Sequence, residues 1–133
     1  MFIEFDESLR VGHEQIDSEH RILASRINLF LEKLAAGEDR ERLDGAYQNI
    51  IDYASEHFAH EERLMFESGY HDRLIHISRH GKLLAELQER SRYILGGDGD
   101  DLVDVMSFIH DWFRFHIKTC DAKLADFLRG RAP

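Results

Sequence analysis

An all-α, up-down-up-down four-helix bundle with an N-terminal arm is the fold this sequence predicts, on three observations. Apolar residues recur every three or four positions through four long stretches, which is helical spacing. Glycines stand at the joints between those stretches, at Gly37, at Gly69 and in the run Gly96-Gly97-Asp98-Gly99. The one proline is Pro133, so nothing in the body of the chain interrupts a helix by the proline route. Four helices of about 20–30 residues with short connections pack as a bundle in which neighbours run antiparallel.

The expected elements follow in order. Residues 1–16 lack a helical stripe, and Phe2, Ile3 and Phe5 are expected to pack this arm against the bundle. The first helix is expected over about 18–36, with Asp17 or Ser18 as its cap and His20, Leu23, Ile27, Leu31 and Leu34 inward. The second covers about 39–68, with Leu43, Tyr47, Ile50, Ala54, His57, Glu61 and Leu64 inward. The third covers about 72–95, with His76, His80, Leu83, Leu87 and Ile94 inward. The fourth covers about 100–128, starting near Asp100, with Leu102, Val105, Ile109, Trp112, His116, Cys120 and Leu124 inward. The whole of residues 1–133 reads as a single domain, with no repeat, low-complexity run or linker.

Composition narrows the function. Lys and Arg number 17 against 26 Asp and Glu, a net charge of −9 with His neutral. That balance argues against nucleic-acid binding, which needs a basic face, and against docking on anionic lipid. Hydrophobic residues make up 43%, too many for disorder. One cysteine, Cys120, excludes an internal disulfide and a zinc site built from several thiolates. The start, Met-Phe-Ile-Glu-Phe-Asp-Glu, carries acids where an export signal carries basic residues. No apolar run approaches the ~20 residues that span a bilayer. The expected compartment is therefore the cytoplasm.

The informative residues are polar ones on apolar stripes. There are 9 histidines, and every inner stripe carries at least one. A buried imidazole or carboxylate needs a partner, because an unpaired one costs several kcal/mol. His76 and His80 are four apart, one above the other on a helix face, as are His57 and Glu61. Either pair alone is weak, since so many histidines produce such a spacing by chance about half the time. His13 and Asp17 repeat the spacing in the arm and read as coincidence.

Bundle topology adds the missing constraint. His20 lies early in the first helix, His57 and Glu61 late in the second, His76 and His80 early in the third, and His116 and Asp121 late in the fourth. With neighbours antiparallel, all seven converge at one end. Imidazole and oxygen donors without thiolate suit iron, manganese or zinc. Two octahedral metals would offer twelve positions. One bridging oxo or hydroxo group, two bridging carboxylates and five histidines fill eleven of them, which leaves one open to a small ligand. Asp121 is five residues from His116, a spacing that a regular α-helix does not align.

In this arrangement the chain resembles the hemerythrins, especially the bacterial single-domain ones. The resemblance rests on Val11-Gly12-His13, Ile16-Asp17-Ser18-Glu19-His20, His57-Phe58-Ala59-His60-Glu61-Glu62 with Met65, Gly69-Tyr70, His76-x3-His80 and Trp112-x3-His116-Ile117-x3-Asp121. It implies reversible O2 binding at a non-haem centre of two iron ions with a bridging oxo or hydroxo group. It implies that His76, His80 and His116 hold one iron and His20 and His57 the other, with Glu61 and Asp121 bridging. By the same resemblance Leu23, Phe58, Trp112, Phe113 and Ile117 are expected to wall the O2 pocket. Phe5 stands where many relatives have tryptophan.

Three roles suit such a protein: an O2 carrier, store or sensor without enzymatic activity; a di-iron oxidase, peroxidase or ferroxidase; and an iron- or redox-sensing regulatory domain. Ferritin-like enzymes of the second kind use Glu-x-x-His motifs, and none occurs in this sequence. O2 is the expected ligand, with no nucleic acid or membrane as partner. Cys120 is expected as a small buried hydrophobe, and His60, His71 and His110, off the ligand stripes, as solvated.

Overall fold

The structure, a computed structural model, describes residues 3–95 and 102–130, with the side chains of 92–95, 102, 103, 105 and 106 outside the description. Phe2, the glycine run 96–99 and Asp100 fall outside it, as do the side chains of Ile94, Leu102 and Val105.

The arm opens with an extended stretch and a short 3-10 turn, Glu7–Leu9, capped by Asp6. Ile3 is buried, and its backbone N–H and C=O both bond the side chain of Asn28, at 2.7 and 2.8 Å. Helix α1 spans Glu14–Ala35 and α2 spans Arg40–Ser68. Helix α3 spans Arg73–Leu95 and α4 spans Leu102–His116. A π-helical turn, Ile117–Asp121, continues α4 into α5, Ala122–Gly130. Helix α1 packs on α2 and α4, and α2 packs on α3. The α4–π–α5 rod is the fourth member of the bundle.

The start of α1 differs from expectation. The helix begins at Glu14, with His13 as its cap: His13 Nδ1 accepts from the Ile16 N–H at 3.3 Å. Asp17 lies inside the helix, nearly fully buried. Its two oxygens accept from the N–H groups of Val11 and Gly12, at 2.8 and 3.1 Å. The side chain read as a cap thus ties the arm to the bundle, and His13 and Asp17 serve separate structural roles. At α2 the cap is Asp39, which accepts from the Arg42 N–H at 2.9 Å. Helix α2 ends at Gly69, whose φ of 71° lies in the left-handed region that glycine adopts without strain.

The core between the helices includes Leu23, Ile27, Leu31, Tyr47, Ile50, Ala54, Leu87, Ile109 and Leu124. Leu34, Leu43, Leu64 and Leu83 are half-buried at its edge, and Met65, beside Leu64, is the fully buried residue at that level. Tyr47 satisfies its hydroxyl by donating to the Leu87 carbonyl at 2.6 Å. This apolar core fills the bundle away from the polar cluster and fixes the helix register on which the cluster depends.

Candidate metal centre

Each helical rod delivers its part of one cluster. Helix α1 carries His20, α2 carries His57 and Glu61, α3 carries His76 and His80, α4 ends at His116, and the π turn ends at Asp121. None of the seven is more than 5% exposed. Burying five imidazoles and two carboxylates together is costly unless a cation or protons hold them.

The π turn explains how Asp121 joins. In a regular α-helix, residues five apart point about 140° away from each other. Here the N–H of Ala122 bonds the carbonyl of Ile117, five residues back, and this wider turn restores a common face at that spacing. His116 Nε2 and Asp121 Oδ1 lie 3.0 Å apart as a result.

The two carboxylates divide the histidines into two sets. Glu61 Oε1 lies 3.5 Å from His76 Nε2, 3.0 Å from His80 Nε2 and 3.9 Å from His116 Nε2. Asp121 Oδ1 lies 3.2 Å from His76 Nε2 and 3.0 Å from His116 Nε2. The other oxygens face the other way. Glu61 Oε2 is 3.2 Å from His57 Nε2 and 4.0 Å from His20 Nε2. Asp121 Oδ2 is 2.6 Å from His20 Nε2 and 3.8 Å from His57 Nε2. Two groups of candidate ligands result, His76, His80 and His116 with both carboxylates, and His20 and His57 with the same two, each within 4.8 Å.

Unsatisfied atoms test whether a cation fits. His57 Nε2, His76 Nε2, His116 Nε2, Glu61 Oε2 and Asp121 Oδ1 are buried without a hydrogen-bond partner. All five point into the cluster. Buried polar atoms are normally paired, and metal ions between the rings and the carboxylates would satisfy these. Neutral imidazole Nε2 and bridging carboxylate oxygen are donors for iron, manganese or zinc. The residues present fit a pair of such ions.

Protonation without a metal points the same way. Burial pushes His57 down, but the carboxylates of Glu61 and Asp121 and the bond to Glu19 raise it well above the usual imidazole range. Burial likewise disfavours charged His116, and Asp121 outweighs it. His76 is pushed down by burial and then up, by the facing carboxylates of Asp121 and Glu61, to about 9. Burial and the charge of Asp121 push Glu61 up, while His57 and His116 hold it well below the carboxylate range. Asp121 is held low against burial by His116 and His20. Protons thus occupy the metal-free cluster where a cation would sit.

An outer ring of carboxylates orients the ligand rings. Glu19 Oε1 accepts from His57 Nδ1–H at 2.6 Å, and its Oε2 accepts from His60 Nδ1–H at 2.7 Å. Glu62 Oε2 accepts from His80 Nδ1–H at 2.9 Å. An ionised carboxylate only accepts, so these bonds place the proton on Nδ1 and leave Nε2 free to bind a metal. Sequence reasoning missed Glu19 and Glu62. Their positions next to His20 and Glu61 were visible, but their reach to a neighbouring helix was not. His60, expected to be solvated, is half-buried and paired; His110 is half-buried and His71 exposed.

Apolar side chains enclose the cluster. Leu23, Phe58, Trp112, Phe113 and Ile117 are all buried. Phe113 packs edge-on to His20, with centroids 6.2 Å apart, and Phe5 of the arm lies 6.4 Å from the same ring. Phe58 stacks on His80 at 4.0 Å and meets His116 edge-on at 5.1 Å. Trp112 lies behind Phe58, and its indole N–H donates to the Leu83 carbonyl at 3.1 Å, so this ring anchors α4 to α3. Phe58 also lies 5.8 Å from His57, so Phe58 and Phe113, rather than Trp112, flank the His20–His57 group.

Cys120 is buried but is more than an apolar filler. Its Sγ accepts from Arg79 Nη1 at 3.3 Å and contacts Thr119 Oγ1 at 3.6 Å. Burial pushes its thiol up, while bonds to His116 and Arg79 bring it down to about 7.

The description "Hemerythrin HHE cation binding domain" belongs to the family model that matches residues 11–128. The chain is 31% identical over 127 residues to a bacteriohemerythrin of Pseudomonas paraeruginosa, which covers 94% of this chain and 80% of that protein. It is 28% identical over 105 residues to a bacteriohemerythrin of Methylococcus capsulatus, covering 79% of each. It is 29% identical over 120 residues to myohemerythrin-1 of Phascolopsis gouldii, covering 90% of this chain and 88% of that one.

Proposed function

This chain belongs to the hemerythrin family, and we propose that it binds O2 reversibly at a non-haem di-iron centre, as carrier, store or sensor rather than as an enzyme. His76, His80 and His116 hold one iron, His20 and His57 hold the other, and Glu61 and Asp121 bridge them, with an oxo or hydroxo group as the third bridge. The observation that carries this reading is the division of the carboxylates. Each turns one oxygen to the three-histidine group and the other to the two-histidine group.

A pair of ferrous ions held there would supply the redox chemistry for reversible O2 binding. The chain's own residues make that binding reversible. With one histidine fewer, the His20–His57 group leaves room for a small ligand there and not at the other iron. Phe113 and Phe5 close over His20, and Phe58 and Ile117 are buried around the cluster. These walls exclude the water and protons that would turn bound O2 into a leaving product. Glu19 and Glu62 hold a proton on Nδ1 of His57 and His80, so that Nε2 is the ring nitrogen turned inward to the metals.

The proposed setting is the cytoplasm, with neither nucleic acid nor membrane as partner. The net charge of −9 disfavours both partners, and among the described residues no helix is long and apolar enough to cross a membrane.

The test is the visible spectrum of the reduced, iron-loaded protein. A band that appears in air, vanishes on degassing and returns through repeated cycles supports reversible binding. Oxidation to the ferric state in a single exposure, with turnover of added reductant, would make the protein a di-iron redox enzyme instead. One tightly bound zinc and no iron, in protein from iron-replete cells, would remove the di-iron reading altogether.

A further inference from the structure

Two of the seven cluster residues are followed or preceded by a carboxylate that leaves its own helix and bonds a ligand histidine on the next. Glu19 precedes His20 on α1 and reaches His57 on α2. Glu62 follows Glu61 on α2 and reaches His80 on α3. The two are not equivalent. Glu62 is 36% exposed and bonds one ring, whereas the Glu19 side chain is 12% exposed and bonds two, His57 and His60. His57 and His60 lie one helical turn apart on α2, so one carboxylate spans that turn with both oxygens engaged.

We propose that Glu19, held in place by His60, is the positioning residue for the metal position formed by His20 and His57. The inference rests on the di-iron reading. That position has two imidazoles against three at the other, so each ring there carries more of the binding. Glu19 acts on one of these two rings directly, His57, through the 2.6 Å bond to Nδ1. Without that bond the His57 ring is free to rotate and to carry its proton on Nε2, the atom that must face the metal. His60 is no ligand. Its 2.7 Å bond holds the second Glu19 oxygen, which Gln15 Nε2 also reaches, at 3.4 Å. The three-histidine position does not depend on Glu19.

The experiment loads each protein anaerobically with Fe(II) and follows iron loss to a chelator, counting irons per chain. Glu19→Ala should release one of two irons about 10–100-fold faster than the parent, the usual effect of removing an outer carboxylate from a ligand histidine, while the other iron leaves at the parent rate. Glu19→Gln keeps an acceptor for His57 and should fall between the two. His60→Ala should shift the same iron in the same direction by less. Nitrogen NMR of the zinc-loaded proteins should show His57 protonated on Nδ1 and bound through Nε2 in the parent, and a fraction of unbound His57 in Glu19→Ala. Two irons lost at parental rates from both Glu19→Ala and His60→Ala, or both irons lost together, would overturn the positioning role. A parent that never takes up two irons would instead overturn the di-iron reading beneath it.

Discussion

Glu61 and Asp121 decide the chemistry at the scale of single residues, because each has two oxygens and the fold uses both. Their charges also set the behaviour of the metal-free protein. His76 is raised to about 9, against about 6.5 for an unfolded histidine. A raised folded value means that its contribution to stability is complete below about pH 6.5 and is lost as pH rises through about 9. The melting temperature of metal-free protein should therefore decline across that window, while iron-loaded protein, with cations in place of protons, should not follow it. A metal-free melting temperature that is flat or rising there would contradict the assignment. Phe113 is the other residue with a sharp consequence. It is 1% exposed and packs on His20. Phe113→Ala should lose about 3–5 kcal/mol of stability and admit water beside the His20–His57 group. The ferrous variant should still bind O2, and its oxygenated form should decay to ferric protein faster. An equal first-order decay rate in a folded, two-iron variant would show that Phe113 does not guard the site. Six of the cluster residues were readable as polar residues on apolar stripes, and Asp121 was read from its place late in the fourth helix although it lies off that helix's stripe. Glu19 and Glu62 were not, since an exposed-looking acid next to a ligand gives no sign of which helix it will bond.

At the scale of elements, the π turn Ile117–Asp121 is the departure from regular structure that the site requires. The spacing from His116 to Asp121 announced a misfit with an α-helix, but no glycine or proline in Ile-Lys-Thr-Cys-Asp says how the backbone resolves it. The resolution needs the cluster itself, whose burial of Asp121 favours the wider turn. Thr119 supports it by donating from Oγ1 to the Phe115 carbonyl at 2.7 Å. Thr119→Val removes that bond at similar shape and should cost about 1 kcal/mol, read as a lower melting temperature with two irons retained. An unchanged melting temperature would mean that the hydroxyl adds nothing to the turn. Cys120 sits in the same turn, beside His116, and its Sγ accepts from Arg79. Cys120→Ser offers Arg79 an oxygen instead and should keep both irons and O2 binding; loss of one iron would make the thiol part of the metal site. The start of α1 was less legible than its body. Asp17 looks like a cap by residue type, yet its oxygens serve the N–H groups of Val11 and Gly12, and a sequence does not show which backbone donors a buried acid will meet.

For the whole molecule, the bundle works by register. Short joints at Gly37 and Gly69 reverse the chain, so ligands early in α1 and α3 meet ligands late in α2 and at the α4–π junction. Helical periodicity and joint position are strong signals, which is why the architecture is legible in the sequence. The packing that sets the register, such as Tyr47 on the Leu87 carbonyl and Trp112 on the Leu83 carbonyl, was not. Those bonds hold α2 and α4 to α3, and the geometry of seven buried ligands depends on them. The architecture asks one molecule to hold two metals, leave one position open and keep water out. A gas titration of the reduced, iron-loaded protein, with iron counted in the same sample, measures all three together. The account predicts one O2 taken up per two irons per chain and the same O2 recovered on degassing, cycle after cycle. O2 consumed without recovery, or uptake unrelated to a two-iron count, would contradict it.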